Sequence, residues 1–357
     1  MFKTVLRLNC NLNLIHYFEV MTIEKYQQHI ANLIQNTPVV SGDVFDPEFT
    51  PDIDDYLNTF EFYQEALRQH ADFGIEPAYL FFRNDFSLNA GATKTDDNIF
   101  LVSINMGTIN WLITRLKNNT DLVTSTDVNL FNILTPYLDI PINRLLYQSC
   151  CHYTFYHEMA HLVQDSDLLQ ETLSENPEGV EDFNIDRHLL EIDADTFSAL
   201  CLGTHIIQYC ERIFGQNYNR ENLEALVVMF SIGIFLYLLS FSGNSEQFYL
   251  RESTHPHPAI RITNFLMVLT HYCNNSLEAR DKGFTINQGN MFIYAMEIAE
   301  ELQDFFFENQ TVSTFRQTMI DNRIEAVAYL GDLVETNNVS IDTATHKWNL
   351  RHQNQNN

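Results

Sequence analysis

The sequence is poor in basic residues, with 20 Lys and Arg against 47 Asp and Glu and a formal net charge of −27. Proteins that bind nucleic acids, or that sit on anionic membranes, need clustered positive charge. The composition therefore argues against a nucleic-acid-binding protein and against binding to anionic membrane surfaces. A basic protein or peptide would be attracted to this chain, although strong acidity is also a common route to solubility.

Cysteine is sparse as well, with six residues and no C-x-x-C pair. We interpret all six, including the neighbours Cys150 and Cys151, as reduced residues of a cytoplasmic protein. The first twenty residues contain asparagines that interrupt the apolar core a secretion signal requires, so we predict no such signal there. Met21 offers an alternative natural start.

Long uncharged apolar runs are absent except at residues 225–241. A helix over this run would be about 25 Å long, which is short of the roughly 30 Å hydrocarbon core of a bilayer. We therefore predict a buried central helix, with a membrane anchor as the alternative.

One motif stands out against these absences: His157-Glu158-Met159-Ala160-His161, an H-E-x-x-H sequence in a stretch without Gly or Pro from residue 142 to 173. Residues four apart share one face of a helix, so both imidazoles can reach one metal ion. A catalytic zinc site takes three protein ligands and keeps one position open. The motif predicts a zinc site that needs a third ligand, with the carboxylate of Glu158 one residue after the first histidine.

A second helical segment, residues 187–207, supplies candidates for that ligand. Glu191 and Asp195 lie one turn apart among apolar residues. We predict that Glu191 binds the metal and that Asp195 accepts the spare N–H of a ligand imidazole, which fixes the orientation of the ring. His188 and Asp193 remain the alternatives to Glu191.

A third segment follows the apolar run and contains Thr254-His255-Pro256 and Arg261. A rigid His beside a helix start can donate a hydrogen bond to charge that develops on a reacting carbonyl oxygen. Arg261 can pair with a carboxylate such as Asp195. On spacing alone, an ordinary proline-rich turn with an ion pair is the simpler interpretation.

The fold class that the pattern indicates is α+β and mostly helical, with a small sheet before the H-E-x-x-H helix. Apolar and aromatic strands are predicted at residues 77–83 and 99–105, separated by a loop at 84–98. Helices are predicted before the sheet, at residues 22–34 and 54–69, and near the C-terminus, at residues 287–307 and 312–333. We divide the chain into an N-terminal helical region (1–74) that packs on a second domain (75–340), and a polar, mobile tail (341–357).

Acidic residues fill residues 165–186, where there is no Lys or Arg. A solvated acidic loop is the simpler interpretation. The alternative is a rim or lid that attracts a basic segment of a substrate.

Taken in order, these pieces resemble the gluzincin peptidases of the CAAX prenyl protease and heat-shock protease class, and they are similar to the soluble Lit-type phage-exclusion peptidases. The resemblance spans roughly residues 75–270. It depends on Asn89-Ala90 beside the strands, on H-E-x-x-H at 157–161, on E-x-x-A-D at 191–195, and on T-H-P-x-x-x-x-R-I at 254–262.

The resemblance implies a zincin-like metallopeptidase domain and a role for each matching residue. His157, His161 and Glu191 would bind Zn²⁺, Glu158 would be the base, Asp195 would support a ligand, His255 would stabilise the oxyanion, and Arg261 would brace the carboxylates. The strand at 99–105, with Ile99, Leu101 and Ser103, would form the sheet edge against which a peptide lies.

The implied activity is a zinc-dependent endopeptidase that cleaves an intracellular protein in the cytoplasm, with a role in defence. A pair of long transmembrane spans is missing, which argues against an enzyme of the membrane-embedded kind. The alternatives are a zinc-binding regulatory protein whose peptidase site is retired and a membrane-anchored peptidase. The sequence gives no indication of the oligomeric state.

Overall fold

The computed structural model describes residues 21–124, 128–164, 173–174, 183–241, 248–307, 315–337 and 343–354. Its fold is mostly helical with one small sheet, as the sequence predicts. The strands are β1 (Ala78–Arg83), β2 (Ala90–Lys94), β3 (Phe100–Asn105) and β4 (Leu173–Ser174). The helices are α1 (Ile23–Asn36), α2 (Ile53–Gln69), α3 (Met106–Leu112, continued by a π-helical turn at Ile113–Lys117), α4 (Asp121–Thr124), α5 (Asn129–Leu134), α6 (Ile142–Gln164), α7 (Ile185–Phe214), α8 (Arg220–Ser240), α9 (Pro258–Ala279), α10 (Gln288–Phe306), α11 (Phe315–Asp321), α12 (Arg323–Asn337) and α13 (Ala344–Asn354).

The sheet has the strand order β1-β3-β2-β4. β1 runs parallel to β3, whereas β2 is antiparallel to β3 and to the two residues of β4. The prediction of a loop at 84–98 is wrong, because β2 lies within it. Its sequence, Ala-Gly-Ala-Thr-Lys, has little intrinsic strand preference, and the strand is held by its ladder with β3 and by the burial of Ala90 and Ala92.

β3 is an inner strand, so the prediction that residues 99–105 form the substrate-binding edge is wrong. Leu101 pairs with Tyr79 on one side and Thr93 on the other, and Ser103 has partners on both sides in the same way. Ile99 lies just before β3. The error follows from the missed β2, which lies between β3 and that edge of the sheet. On the outer side of β2, Gly91 and Ala92 pair with Ser174 and Leu173.

The helical body is built around α6, which packs against α7, α8 and the sheet. α7 packs in turn along α9. All five cysteines in the described ranges are buried and free of disulfides.

α8 includes most of the apolar run and packs against α6, α7, α9 and α10. Among the described residues it is the one helix whose length and composition would suit a membrane span, and 89% of its most apolar window is buried inside the fold. A helix that is apolar on every face is typical of a protein core as well as of a membrane.

The N-terminal helices share the core of the rest of the chain. Tyr56 of α2 meets Phe82 of β1 edge to face, with 4.9 Å between ring centroids. Tyr63 of α2 stacks on Phe155 of α6 at 4.2 Å, with the two rings almost parallel. The predicted N-terminal region therefore packs directly on the helix that carries the H-E-x-x-H motif.

The prediction of a mobile tail at 341–357 is wrong for the part that the structure describes. Residues 344–354 form α13, and Trp348 on this helix is buried against Phe197 of α7, with ring centroids 5.4 Å apart. The segment is polar overall, so one large apolar side chain gave little signal of packing. Most of the acidic stretch at 165–186 lies outside the described residues, as do residues 1–20.

Candidate metal centre

Three buried side chains converge between α6 and α7. His157 and His161 project from one face of α6, and Glu191 reaches them from α7. The Nε2 atoms of the two histidines are 3.2 Å apart, and they lie 3.2 Å and 3.4 Å from the carboxylate oxygens of Glu191. This cluster could hold a metal ion.

The spacing of these atoms fits a four-coordinate zinc ion. Ligands at about 2.0–2.1 Å in a tetrahedron are separated from each other by about 3.3–3.4 Å. In the cluster the two Nε2 atoms are 3.2 Å apart, which is close to that value, and each lies at a similar distance from one oxygen of Glu191, 3.2 Å from Oε2 for His157 and 3.4 Å from Oε1 for His161. Two imidazoles and one carboxylate also form a donor set that zinc prefers, and they leave one of four positions open.

The hydrogen bonds of the two Nδ1 atoms orient the rings of His157 and His161 so that Nε2 faces the centre. Nδ1 of His157 lies 3.0 Å from Oδ1 of Asp195, and Nδ1 of His161 lies 2.9 Å from Oε1 of Gln164. Both partners are hydrogen-bond acceptors, so each Nδ1 donates a proton to its partner and each Nε2 faces the cluster. When the Nε2 atoms are deprotonated, their two lone pairs and the carboxylate of Glu191 form a site for a cation.

Asp195 is held by two other side chains besides that of His157. Arg261 donates to both of its carboxylate oxygens at 2.9 Å, and Tyr153 donates its hydroxyl proton to Oδ1. Burial raises the pKa of Asp195, but the charge and hydrogen bonds of Arg261 outweigh this effect and lower the pKa to about 2. Asp195 is therefore ionised at neutral pH and fixes the ring of His157.

The charges of the cluster shift the pKa values of its members. Burial alone would lower the pKa of His157, but the charge of Glu191 and the hydrogen bonds that His157 donates to Asp195 and Glu191 raise it well above the usual value. Burial raises the pKa of Glu191, and the facing histidines lower it well below the usual value. A site that draws protons in this way also attracts a metal cation.

His255 lies beside this cluster. Its Nε2 is 3.5 Å from Oε1 of Glu191, and its Nδ1 is 3.1 Å from the hydroxyl of Thr254. Burial lowers the pKa of His255. The neighbouring His257 is the N-cap of α9, because its Nδ1 accepts the backbone N–H of Ala259 at 3.0 Å.

Glu158 follows His157 on α6, and both of its carboxylate oxygens are buried. Burial of a carboxylate is costly. A group that is kept there in spite of the cost is a candidate for chemistry at the centre.

The two alternatives to Glu191 lie elsewhere. His188 uses both ring nitrogens on other partners, the carbonyl of Ser253 at 2.8 Å and the hydroxyl of Tyr329 at 2.9 Å. Asp193 contacts Gln164 and the N-terminus of α13. Neither residue belongs to the cluster.

Two residues of the centre were missed in the sequence, Tyr153 and Gln164. Tyr153 lies four residues before His157, and Gln164 lies three residues after His161, so each shares a helix face with the ligand that it supports. That spacing was the available signal in the sequence. Many other residues share a helix face with a histidine in the same way without supporting it.

The fold and the centre define a mostly helical α+β protein with a buried His/His/Glu cluster. The chain matches no family model, no curated protein and no solved structure.

Proposed function

We propose that this protein is a zinc-dependent endopeptidase of the zincin type that acts on a protein substrate in the cytoplasm. One observation carries the proposal: His157, His161 and Glu191 converge in a buried cluster that could hold a metal ion, with Glu158 next to the first histidine on the same helix. The donor set supports zinc rather than magnesium or calcium, which take mostly oxygen ligands.

When bound, zinc would polarise the scissile carbonyl and lower the pKa of water. Side chains of this protein carry out proton transfer, stabilisation of the carbonyl oxygen and orientation of His157. Glu158 takes a proton from the attacking water and returns it to the leaving amine. His255 donates a hydrogen bond to the carbonyl oxygen as negative charge develops on it, and the Asp195–Arg261 pair keeps His157 in one orientation.

The outer edge of β2 offers a place for an extended substrate. β3 is paired on both sides, whereas among the residues that the structure describes β2 is paired on its outer side only at Gly91 and Ala92. β2 also packs on α6, the helix that carries two of the metal ligands. A peptide that adds to this edge through backbone hydrogen bonds would displace Leu173–Ser174 or pair beyond them.

The decisive variant is Glu158→Gln, which keeps the size of the side chain and removes its basicity. We expect the variant to bind zinc as the wild type does and to lose peptidase activity by at least about a hundredfold. Zinc is measured by metal analysis of the purified protein, and cleavage by the new N-termini that appear in a denatured protein mixture. Unchanged cleavage by Glu158→Gln would refute the mechanism, and a wild-type protein without zinc would refute the function.

A further inference from the structure

The metal centre is connected to the C-terminal helix by a continuous chain of hydrogen bonds. It runs from His161 to Gln164, from Gln164 to Asp193, and from Asp193 to the first turn of α13. Gln164 and Asp193 are each only 3% exposed. The chain therefore lies in the interior, where water competes little for its hydrogen bonds.

The amide of Gln164 has one possible orientation. Its nitrogen donates to the carbonyl of Leu190 and to Oδ2 of Asp193, both at 2.9 Å. A flipped amide would place its oxygen against two acceptors. Its oxygen must therefore face Nδ1 of His161, which fixes the tautomer that leaves Nε2 free for the metal.

Asp193 is fixed in turn by α13. Its Oδ2 accepts the backbone N–H of Ala344 at 2.8 Å, and its Oδ1 accepts that of Thr345 at 3.2 Å. These are N–H groups of the first helical turn, which have no partner within the helix and favour a negative charge. The third N–H of this turn, that of His346, does not need Asp193, because the hydroxyl of Thr343 accepts it at 3.0 Å.

α13 is held in place by contacts that do not involve the metal centre. Trp348 packs on Phe197, and Arg351 forms an ion pair with Asp72 at 2.9 Å. Lys347 donates to the carbonyl of Val163 at 2.7 Å, in the last turn of α6. The N-terminus of α13 therefore has a fixed position relative to the end of the metal-binding helix.

We infer that Gln164 and Asp193 are positioning residues of the metal centre and that α13 completes it: the helix N-terminus orients Asp193, Asp193 orients Gln164, and Gln164 holds His161 ready for the metal. This inference rests on the proposed zinc site. It gives the C-terminal segment a direct part in metal affinity, beyond any part in folding.

The test compares Gln164→Leu and Asp193→Asn with a matched control, Asn264→Leu, in the full chain. Asp193→Asn is isosteric, so it tests the link to α13 with little change in packing. Asn264 is also a buried amide that joins two helices, with donated bonds to the carbonyl of Ile192 and the hydroxyl of Thr196, but it touches no ligand. Zinc affinity is measured by competition with a chelating dye, and the visible absorption of the Co²⁺-loaded protein reports the ligand geometry.

We expect zinc to bind about 10–100 times more weakly to Gln164→Leu and to Asp193→Asn, with altered Co²⁺ bands, and we expect Asn264→Leu to match the wild type. Wild-type affinity and spectra in both test variants would overturn the inference. So would an equal loss of affinity in Asn264→Leu, which would indicate a general loss of packing. A wild-type protein that binds neither metal would refute the proposed function itself.

Discussion

Arg261 and Asp195 form an ion pair with almost no contact with water, since their side chains are 3% and 0% exposed. Removal of one partner from such a pair leaves a buried charge without compensation, which costs about 3–5 kcal/mol. We expect Arg261→Met to lower the free energy of unfolding by about that amount, measured by urea denaturation of the metal-free protein.

The double variant Arg261→Met/Asp195→Asn is the control. It removes both charges, so we expect it to recover a large part of the stability that Arg261→Met loses, although Tyr153 and His157 would still face a polar group. Equal stability of the single and double variants would contradict the role of the buried charge.

At this scale the sequence predicted the three residues that form the His/His/Glu cluster and missed Tyr153 and Gln164, which contact the side chains around it. The i, i+4 spacing on α6 is enough to place His157 and His161 on one face of the helix. Glu191 was selected because it lies in an apolar helix. Gln164 could not be predicted, because its role depends on Asp193 and on α13, which lie far from it in the sequence and meet it only in the fold.

At the scale of elements, the crossing of α7 and α9 depends on Gly203. A Cβ atom added at this position would lie 2.4 Å from Cδ1 of Tyr272, closer than real contacts allow. Gly203→Ala should therefore lower the free energy of unfolding by about 1–3 kcal/mol, the usual cost of overpacking.

Gly331 on α12 is the matched control, because a Cβ atom added there would meet nothing within 4 Å. Since Ala is the better helix former, Gly331→Ala should raise the free energy of unfolding by about 0.5–1 kcal/mol. Both variants are compared by urea denaturation. The same sign for both changes would contradict the close approach of the two helices.

The pairing of β4 with β2 gives a second prediction for an element. If a substrate adds to the outer edge of β2, Leu173–Ser174 compete with it for Gly91 and Ala92. Proline has no N–H to donate to a strand, so the variant with proline at both 173 and 174 should lower KM for an unfolded protein substrate. A KM unchanged by this variant would indicate that substrates bind elsewhere.

The sequence predicted elements well where they carry a strong apolar period and poorly where tertiary contacts decide. α1 and α2 begin and end close to the predicted positions. By contrast, β2 is a strand only because β3 lies beside it, and α13 is ordered because Trp348 finds a pocket beside Phe197. Because β2 was not predicted, β3 was wrongly assigned to the edge of the sheet.

At the scale of the whole molecule, a pair of internal histidines, His205 buried and His152 half-buried, should set its tolerance of acid. The rings of His152 and His205 lie 5.5 Å apart in the core, away from the metal centre. Burial lowers the pKa of His152 to about 4, and burial, followed in size by the repulsion of His152, lowers the pKa of His205 well below its usual value. Both residues are therefore neutral in the folded protein at neutral pH.

Between about pH 6.5 and pH 4 the unfolded chain binds protons at these positions and the folded chain does not. The stability that the neutral pair contributes is fully present above pH 6.5, and it should be lost at up to about 1.4 kcal/mol per pH unit for each histidine as the pH falls. The variant His205→Gln should show a shallower loss in urea denaturation across this range. The exposed His271→Gln is the control and should follow the wild type, and equal slopes in all three proteins would contradict the prediction.

The position of α8 has a consequence for the synthesis of the chain. Two of the helices that cover it, α6 and α7, precede it, whereas α9 and α10 follow it. While the chain leaves the ribosome, α8 emerges before half of its covering surface exists, and a segment apolar on every face is open to aggregation in that interval. We expect chains that end before residue 288 to be recovered with chaperones or in aggregates. Such chains lack α10, which covers part of α8 in the complete protein.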